Sequence, residues 1–377
     1  MHAARWLDCV VDSRQGHGSA PLLGVLPGEG IGPEVVDAAL NVVRGLGRAG
    51  GRAVSVEIGG PIGREAERTS GVALTEDVVR FCEDVFQRGG AILSGPGGGR
   101  YVYDLRTRFD LFLKLTPLQV HNGLVDASPL RPETLEDVDL LLVRENTGGI
   151  YQGSSEEQLG DDGDRLVRHS FSYAEAHVQR FLDAAARLAR ARRRRLTVVT
   201  KEAGVPGVSA LWCACAESAA NEHGVAASLV DADLAAYELV HRPRDFDVVA
   251  APNLYGDVLG DLAAVLVGSR GLSYSGNFSP HGDAVYQTNH GAAYDIAGAD
   301  RADPVGQILS AAMLLRESLG LEPEAWAIEE GVRRVWSRGL RTADLNGGAE
   351  DAVGTTRMAA LVAEAAAGCL AASRERA

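Results

Sequence analysis

Six short apolar runs, each closing on glycine or on charged and polar side chains, constrain this chain more than any other feature. They lie at residues 22–26 (LLGVL), 91–94 (AILS), 140–143 (LLLV), 196–199 (LTVV), 227–230 (ASLV) and 248–250 (VVA). Runs of this length with little polar alternation read as strands buried in a sheet that helices cover. The first is followed by a glycine loop and a helical pattern, Val35 to Val43, so the expectation is an α/β protein, and 377 residues suggest two domains. Ligands in such sheets gather at the carboxyl ends of the strands. There the chain sets Arg144 and Tyr151, Lys201, Asp231, and after the last run Asp257 and Asp261.

Composition narrows the function. A net charge of −14 argues against nucleic acid or an anionic membrane surface as partner, because either needs a basic face. The basic run 190–195 follows an Ala-rich helical stretch and reads as a helix C-terminus, where cations suit the dipole. Five cysteines without C-x-x-C spacing indicate neither a disulfide framework nor a zinc site, and a cytoplasmic setting is expected. No stretch of 18 apolar residues occurs, and residues 1–20 read as a flexible leader rather than a signal peptide.

In NLYGDVLGDLAA, from Asn253, two acids four apart share one face of a helix. They are either solvated helix acids or oxygen ligands for a hard divalent cation, Mg²⁺ or Mn²⁺. The loop PGEGIGPE, from Pro27, is not a G-x-G-x-x-G dinucleotide fingerprint, so a Rossmann fold is not supported. Arg106, beyond the glycines 97–99, has the fork a carboxylate substrate needs.

Taken together, PGEGIGPEVVDAAL, LRTRFDLFLKL, VRENTGGIYQG, NLYGDVLGDLAAVLVGSRGL and NHGAAYDIAG followed by ADPVGQILSAAMLL make the chain resemble the metal-dependent β-decarboxylating dehydrogenases. That family includes isopropylmalate, isocitrate, homoisocitrate and tartrate dehydrogenases. The resemblance implies a twisted mixed sheet running through two domains. Residues 1–111 and 268–377 would form an outer, nucleotide-binding domain and 112–267 a central domain with the dimer interface. It implies a homodimer, or a tetramer, with shared active sites. Asp257 and Asp261 would ligate the metal with Asp231 reaching across from the other subunit beside Lys201, the proton acceptor. Tyr151 would be the catalytic tyrosine, and Arg106 and Arg144 would clasp substrate carboxylates.

By the same resemblance the nucleotide meets Glu29, Ile31, His290, Gly291, Ala292, Ala293, Asp295, Ile296 and Asp303. Asp295 would pair with the ribose hydroxyls and repel a 2′-phosphate, so the cofactor is expected to be NAD. Several positions depart from the family pattern. A third substrate arginine is Thr116 here, with Lys114 two residues earlier as its substitute on the same side of a strand. Ala203 and Asp303 stand where asparagines are usual, and Glu29 where Asp is. The segment reading the substrate's variable group offers Arg100, Tyr101 and Tyr103, which suggests a polar or anionic C3 group on a malate, as in isocitrate, homoisocitrate or a phosphonate analogue. Isopropylmalate, malate or tartrate oxidation is the alternative within enzymes, and a non-catalytic regulatory subunit the alternative outside them.

Overall fold

The computed structural model describes residues 5–11, 21–345 and 352–375. Ten strands form one sheet: β1 (Leu22–Leu26), β2 (Ser55–Ile58), β3 (Ala91–Ser94), β4 (Leu113–Gln119), β5 (Asp139–Glu145), β8 (Arg195–Thr200), β9 (Ala226–Asp231), β10 (Val248–Ala251), β11 (Tyr274–Phe278) and β12 (Ala284–Thr288). The strands β6 (Ser154–Leu159) and β7 (Arg165–Ser170) make a separate antiparallel pair. The sheet order is β2-β1-β3-β12-β11-β4-β5-β10-β8-β9. Strands β4 and β11 run antiparallel to their neighbours and the rest pair in parallel, so the sheet is mixed, as expected. Strands from residues 113–251 occupy one half of it and those from the flanking segments the other.

Helices cover both faces. The main apolar cluster joins the helices Gly32–Arg48, Glu175–Ala191, Val305–Glu317, Glu322–Ser337 and Thr355–Arg374 to β1, β3, β5 and β8, and two smaller clusters fill the opposite face. Side chains of β1, β3 and β10 are buried throughout, which is why those runs carry no polar alternation. Strand β9 differs: it is the sheet's edge, and Leu229 is 50% exposed.

Part of the expected leader is ordered. Residues 6–10 form a helix with Leu7 buried, the Leu7 N–H donating to Glu317 Oε2 at 3.0 Å and Arg187 Nε to the Cys9 carbonyl at 2.7 Å. The remainder of the leader, 1–4 and 12–20, lies outside the described residues. The basic run ends its helix at Ala191, but its arginines act through a carboxylate as well as a dipole. Buried Asp247 accepts from Arg192 Nε at 2.9 Å and from the Arg193 N–H at 2.9 Å. No helix among the described residues is long and apolar enough to cross a membrane.

Candidate active site

The parallel strands β5, β8, β9 and β10 deliver their carboxyl ends to one edge of the sheet, and the site residues follow from there. Arg144 is the penultimate residue of β5, Lys201 follows β8, Asp231 ends β9, and the helix Asn253–Val267 starts just past β10. That helix begins after Pro252 and stops at Gly268, whose φ of +95° only glycine adopts readily. Gly256 lets it lie close on β5, since a Cβ there would stand 2.8 Å from Arg144 Cβ.

One group of side chains converges on Asp257. Its Oδ2 accepts from the Tyr151 hydroxyl at 2.9 Å, and its Oδ1 takes a short bond from Arg144 Nη1. Arg144 is buried and held from behind, Nε and Nη2 both donating to Asn253 Oδ1 at 3.1 and 2.8 Å. Lys114 on β4 is in register with Arg144 on β5, so the two side chains stand together on one face. Arg106, buried near the C-terminus of the Tyr101–Arg108 helix, completes a trio of cations. Its Nε has no hydrogen-bond partner among the described residues.

Electrostatics record the crowding. Burial first, then Arg144, pushes the Arg106 guanidinium down to about 9, and burial followed by Arg106 and Arg144 pushes the Lys114 ammonium well below its ordinary value. Burial opposes charge on Asp257, but Arg144 and the Tyr151 hydroxyl outweigh it and hold the carboxyl below its usual value. Tyr151 is driven up to about 12 by burial and Asp257, so it keeps its proton at neutral pH. Three cations around one carboxylate form a site that attracts further anions.

Asp261 lies one turn beyond Asp257 and pairs with Arg270 Nη2 at 2.8 Å. Both acids are half-exposed and share a face, and each now leans on an arginine, so they fit as oxygen donors for Mg²⁺ or Mn²⁺. Lys201 and Asp231 form a second group, Nζ donating to Asp231 Oδ2 at 3.2 Å and to Asp233 Oδ1 at 2.7 Å. With those carboxylates beside it the ammonium is pushed above its ordinary value, not below as its expected role as proton acceptor asks. Within one chain the described residues do not gather Asp231, Asp257 and Asp261 into a group of three; the only such set of metal-ligating types is Asp183, Glu222 and His223, elsewhere on the surface.

The side chains expected to read the substituent lie beside the cations. The Tyr103 ring lies 5.3 Å from the Tyr151 ring and 5.4 and 5.7 Å from the guanidinium carbons of Arg100 and Arg106, and Arg100 Nη2 donates to the Tyr151 carbonyl at 3.3 Å. Thr116 is buried and accepts from Asn289 Nδ2 at 3.4 Å.

At the other half of the sheet the loops 27–31 and 290–298 meet. The Ile31 N–H donates to the Ala292 carbonyl at 2.8 Å, and Gly30, at φ +58°, fits only without a Cβ, which would lie 2.0 Å from that oxygen. Ile31 packs with Val35, Ala302, Ala293 and Ile296. His290 Nε2 is buried with no partner among the described residues, a polar atom left for a ligand, while Gly291 and Asp295 are exposed. This glycine-lined, half-open cradle fits a nucleotide. Asp303 is otherwise engaged, its two oxygens accepting from the Val305 N–H and the Thr342 hydroxyl at 2.8 and 2.7 Å.

Three residues escaped the sequence reading. Asn253 holds Arg144 and donates through Nδ2 to the Gly148 carbonyl at 2.9 Å; the Tyr173 hydroxyl accepts from the Asn253 N–H at 3.2 Å; and buried Glu145 gathers the Thr147 and Gly148 amides at 2.6 and 2.8 Å. Only the place of Asn253 at the head of the acidic helix could have signalled its role.

The sequence profile described as isocitrate/isopropylmalate dehydrogenase matches residues 22–362. The chain is 41% identical over 340 residues to the 3-isopropylmalate dehydrogenase of Anaeromyxobacter dehalogenans, covering 86% of this chain and 94% of the relative. It is 37% identical to that of Geobacillus kaustophilus, covering 86% and 89%. Among solved structures, isocitrate dehydrogenase from Methylococcus capsulatus superposes with a TM-score of 0.81 at 28% identity, over 92% of this chain and 99% of that one.

Proposed function

The chain belongs to the isocitrate/isopropylmalate dehydrogenase family, the decarboxylating dehydrogenases that work with NAD and Mg²⁺ or Mn²⁺, and we propose that it oxidatively decarboxylates a 3-substituted malate. The observation that carries this reading is the convergence of Arg106, Lys114 and Arg144 on Asp257, with the Tyr151 hydroxyl bonded to the same carboxylate.

Asp257 and Asp261, with Asp231 of a second copy, would hold a divalent cation, which would supply polarisation of the substrate's hydroxyl and adjoining carboxylate, while NAD would supply the hydride acceptor. The protein's own part is binding, orientation and proton handling. Arg106, Lys114 and Arg144 hold the carboxylates as charge-assisted donors, with Arg144 fixed by Asn253. Lys201 Nζ of a second copy takes the hydroxyl proton as the neutral amine, having released its own ammonium proton to water once Asp231 and Asp233, which favour the charged form, turn to other ligands. Tyr151 Oη retains its proton and delivers it to the carbon that loses carbon dioxide. The nucleotide lies along Ile31, His290 and Asp295.

The substituent at C3 rests by Tyr103 and Arg100, a pairing that favours a polar or anionic group. Isopropylmalate is the second reading, favoured by relatives of that name at 37–41% identity. A panel of isopropylmalate, isocitrate, homoisocitrate, malate, tartrate and a phosphonate analogue, followed by NADH absorbance and carbon dioxide release, separates them. Highest kcat/KM on an anionic substituent supports the first reading and highest on isopropylmalate the second; no metal-dependent NADH from any sinks both.

We also propose a homodimer that completes each site, with residues 1–111 and 268–377 as the outer domain and 112–267 as the central one. Its support is that among the described residues of one chain Lys201 and Asp231 bond to each other while Asp257 bonds to Arg144 and Tyr151, and that large apolar side chains stand exposed at Leu229, Leu234, Tyr237 and Val258 and at Leu159 and Val167 of the hairpin.

A further inference from the structure

The side chain of Glu29 is spent on the protein itself. It is 7% exposed, its Oε1 accepts from the Glu65 N–H at 2.5 Å, and its Oε2 accepts from the Gly98 N–H at 2.8 Å and the Tyr294 hydroxyl at 3.0 Å. The space around it is closed to other side chains, for a Cβ on Gly63 would stand 2.3 Å from Oε2 and one on Gly98 would stand 3.0 Å from the Tyr294 hydroxyl. Burial opposes the charge, but the amides of Gly98, Glu65 and Arg64 and the Tyr294 hydroxyl outweigh it and hold the carboxyl below its ordinary value.

The three partners come from three segments with different duties. Glu65 lies at the start of the Gly63–Ser70 helix. Gly98 belongs to the glycine run that leads into the Tyr101–Arg108 helix, which carries Tyr103 and Arg106. Tyr294 adjoins Asp295 in the nucleotide loop; its ring is 48% exposed, yet it is fixed at one end by Glu29, with the Arg64 guanidinium carbon 5.4 Å from its centre. One buried carboxylate thus joins the nucleotide loop to the base of the substrate-side helix.

Resting on the nucleotide reading above, we propose that Glu29 and Tyr294 are positioning residues, a carboxylate–phenol link through which nucleotide binding orders the 97–99 run and hence the helix of Tyr103 and Arg106. The extra methylene of Glu over Asp supplies reach toward both the Gly98 amide and the phenol. Neither side chain acts on the reacting atoms.

The test measures NAD affinity by calorimetry together with amide hydrogen exchange, on the full-length protein. Tyr294→Phe should weaken NAD by about tenfold or more, the scale of one hydrogen bond to a charged acceptor. It should also abolish the protection that NAD confers on the Gly98 amide of the unaltered protein. Glu29→Gln should speed exchange at Gly98 and Glu65 even without nucleotide; if that variant does not fold, Tyr294→Phe alone decides. NAD affinity and NAD-induced protection both unchanged in Tyr294→Phe overturn the proposal. Asp295→Lys separates it from the reading beneath: if that variant binds NAD normally, the nucleotide site itself is misplaced, whereas lost affinity there with none lost in Tyr294→Phe refutes the link alone.

Discussion

Replacing Lys114 by Met should stabilise the empty protein and cripple it as an enzyme. Lys114 is 6% exposed on β4, stands beside Arg144 in register, and makes no hydrogen bond through Nζ among the described residues. Burial and two neighbouring guanidinium groups disfavour its charge, and the pull of Asp257 and Asp261 does not compensate. Exchanging such an ion for an apolar side chain of similar length should raise stability by about 1–4 kcal/mol. With an unfolding entropy of about 2.1 cal/mol/K per residue over 377 residues, the melting temperature should rise by about 1–5 °C. The assay is thermal unfolding in chelator-treated, substrate-free buffer. The sign with pH is fixed. A lysine whose folded pKa is depressed costs stability at low pH and stops doing so as pH rises toward its unfolded value, so the advantage of Lys114→Met should shrink from pH 7 to 10. With metal and substrate the consequence inverts: losing one charge-assisted bond to a carboxylate, about 1.5–3 kcal/mol, should cut kcat/KM by roughly 10- to 150-fold. A melting temperature several degrees lower would show that Lys114 supports the fold, and unchanged kcat/KM would remove it from the substrate site.

Asp257→Asn should abolish metal-dependent turnover while leaving the circular dichroism spectrum intact; undiminished activity would sink the metal assignment. Lys201→Ala and Asp257→Asn chains, each inactive alone, should recover about a quarter of wild-type activity when mixed in equal amounts, from the one intact site of each heterodimer in a statistical mixture. No recovery in verified heterodimers would place each site within one chain. His121, whose ring lies tilted against Trp336 with centroids 5.0 Å apart, is pushed down to about 4 by burial and Arg333. The fold excludes a proton that the unfolded chain takes up near 6.5, so stability should fall by about 3 kcal/mol as pH drops from 6.5 to 4. His121→Phe should flatten that part of the pH–stability profile, and an unchanged profile would contradict the assignment.

The part-exposed parallel strand β2 gave no apolar run, whereas β1, β3 and β10 were legible because burial on both faces leaves such runs unbroken. Strand β11 was not, since its buried positions include Ser275 and Asn277, which satisfy themselves locally: Ser275 Oγ donates to the Gln287 carbonyl and Asn277 Nδ2 to the Val285 carbonyl. The hairpin β6–β7 left no signal because every residue in it is exposed in one chain, so no alternation marks a buried face. In the site, acids and cations announced themselves by type. Asn253 and Tyr173 did not, because a neutral group that orients a charged one looks like any other polar residue until the fold brings them together.

Thr116 and Lys114 show how a site can keep its charge while changing its shape. Being two apart on β4, they share a face of the sheet, with their Cα atoms about 7 Å apart. A cation at 114 therefore enters from a different point than one at 116 would, directly across from Arg144, and Thr116 settles into a neutral contact with Asn289. On the proposed reading, in which Lys114 substitutes for an arginine at 116, the number of positive groups facing the substrate is retained, but their centre shifts along the strand. Carboxylate binding survives such a shift because Coulomb attraction is long-ranged and a lysine stem is flexible, whereas the fit of the C3 substituent beside Tyr103 depends on contact and does not. The replacement should therefore be read first in which malate is chosen and only second in how tightly carboxylates are held.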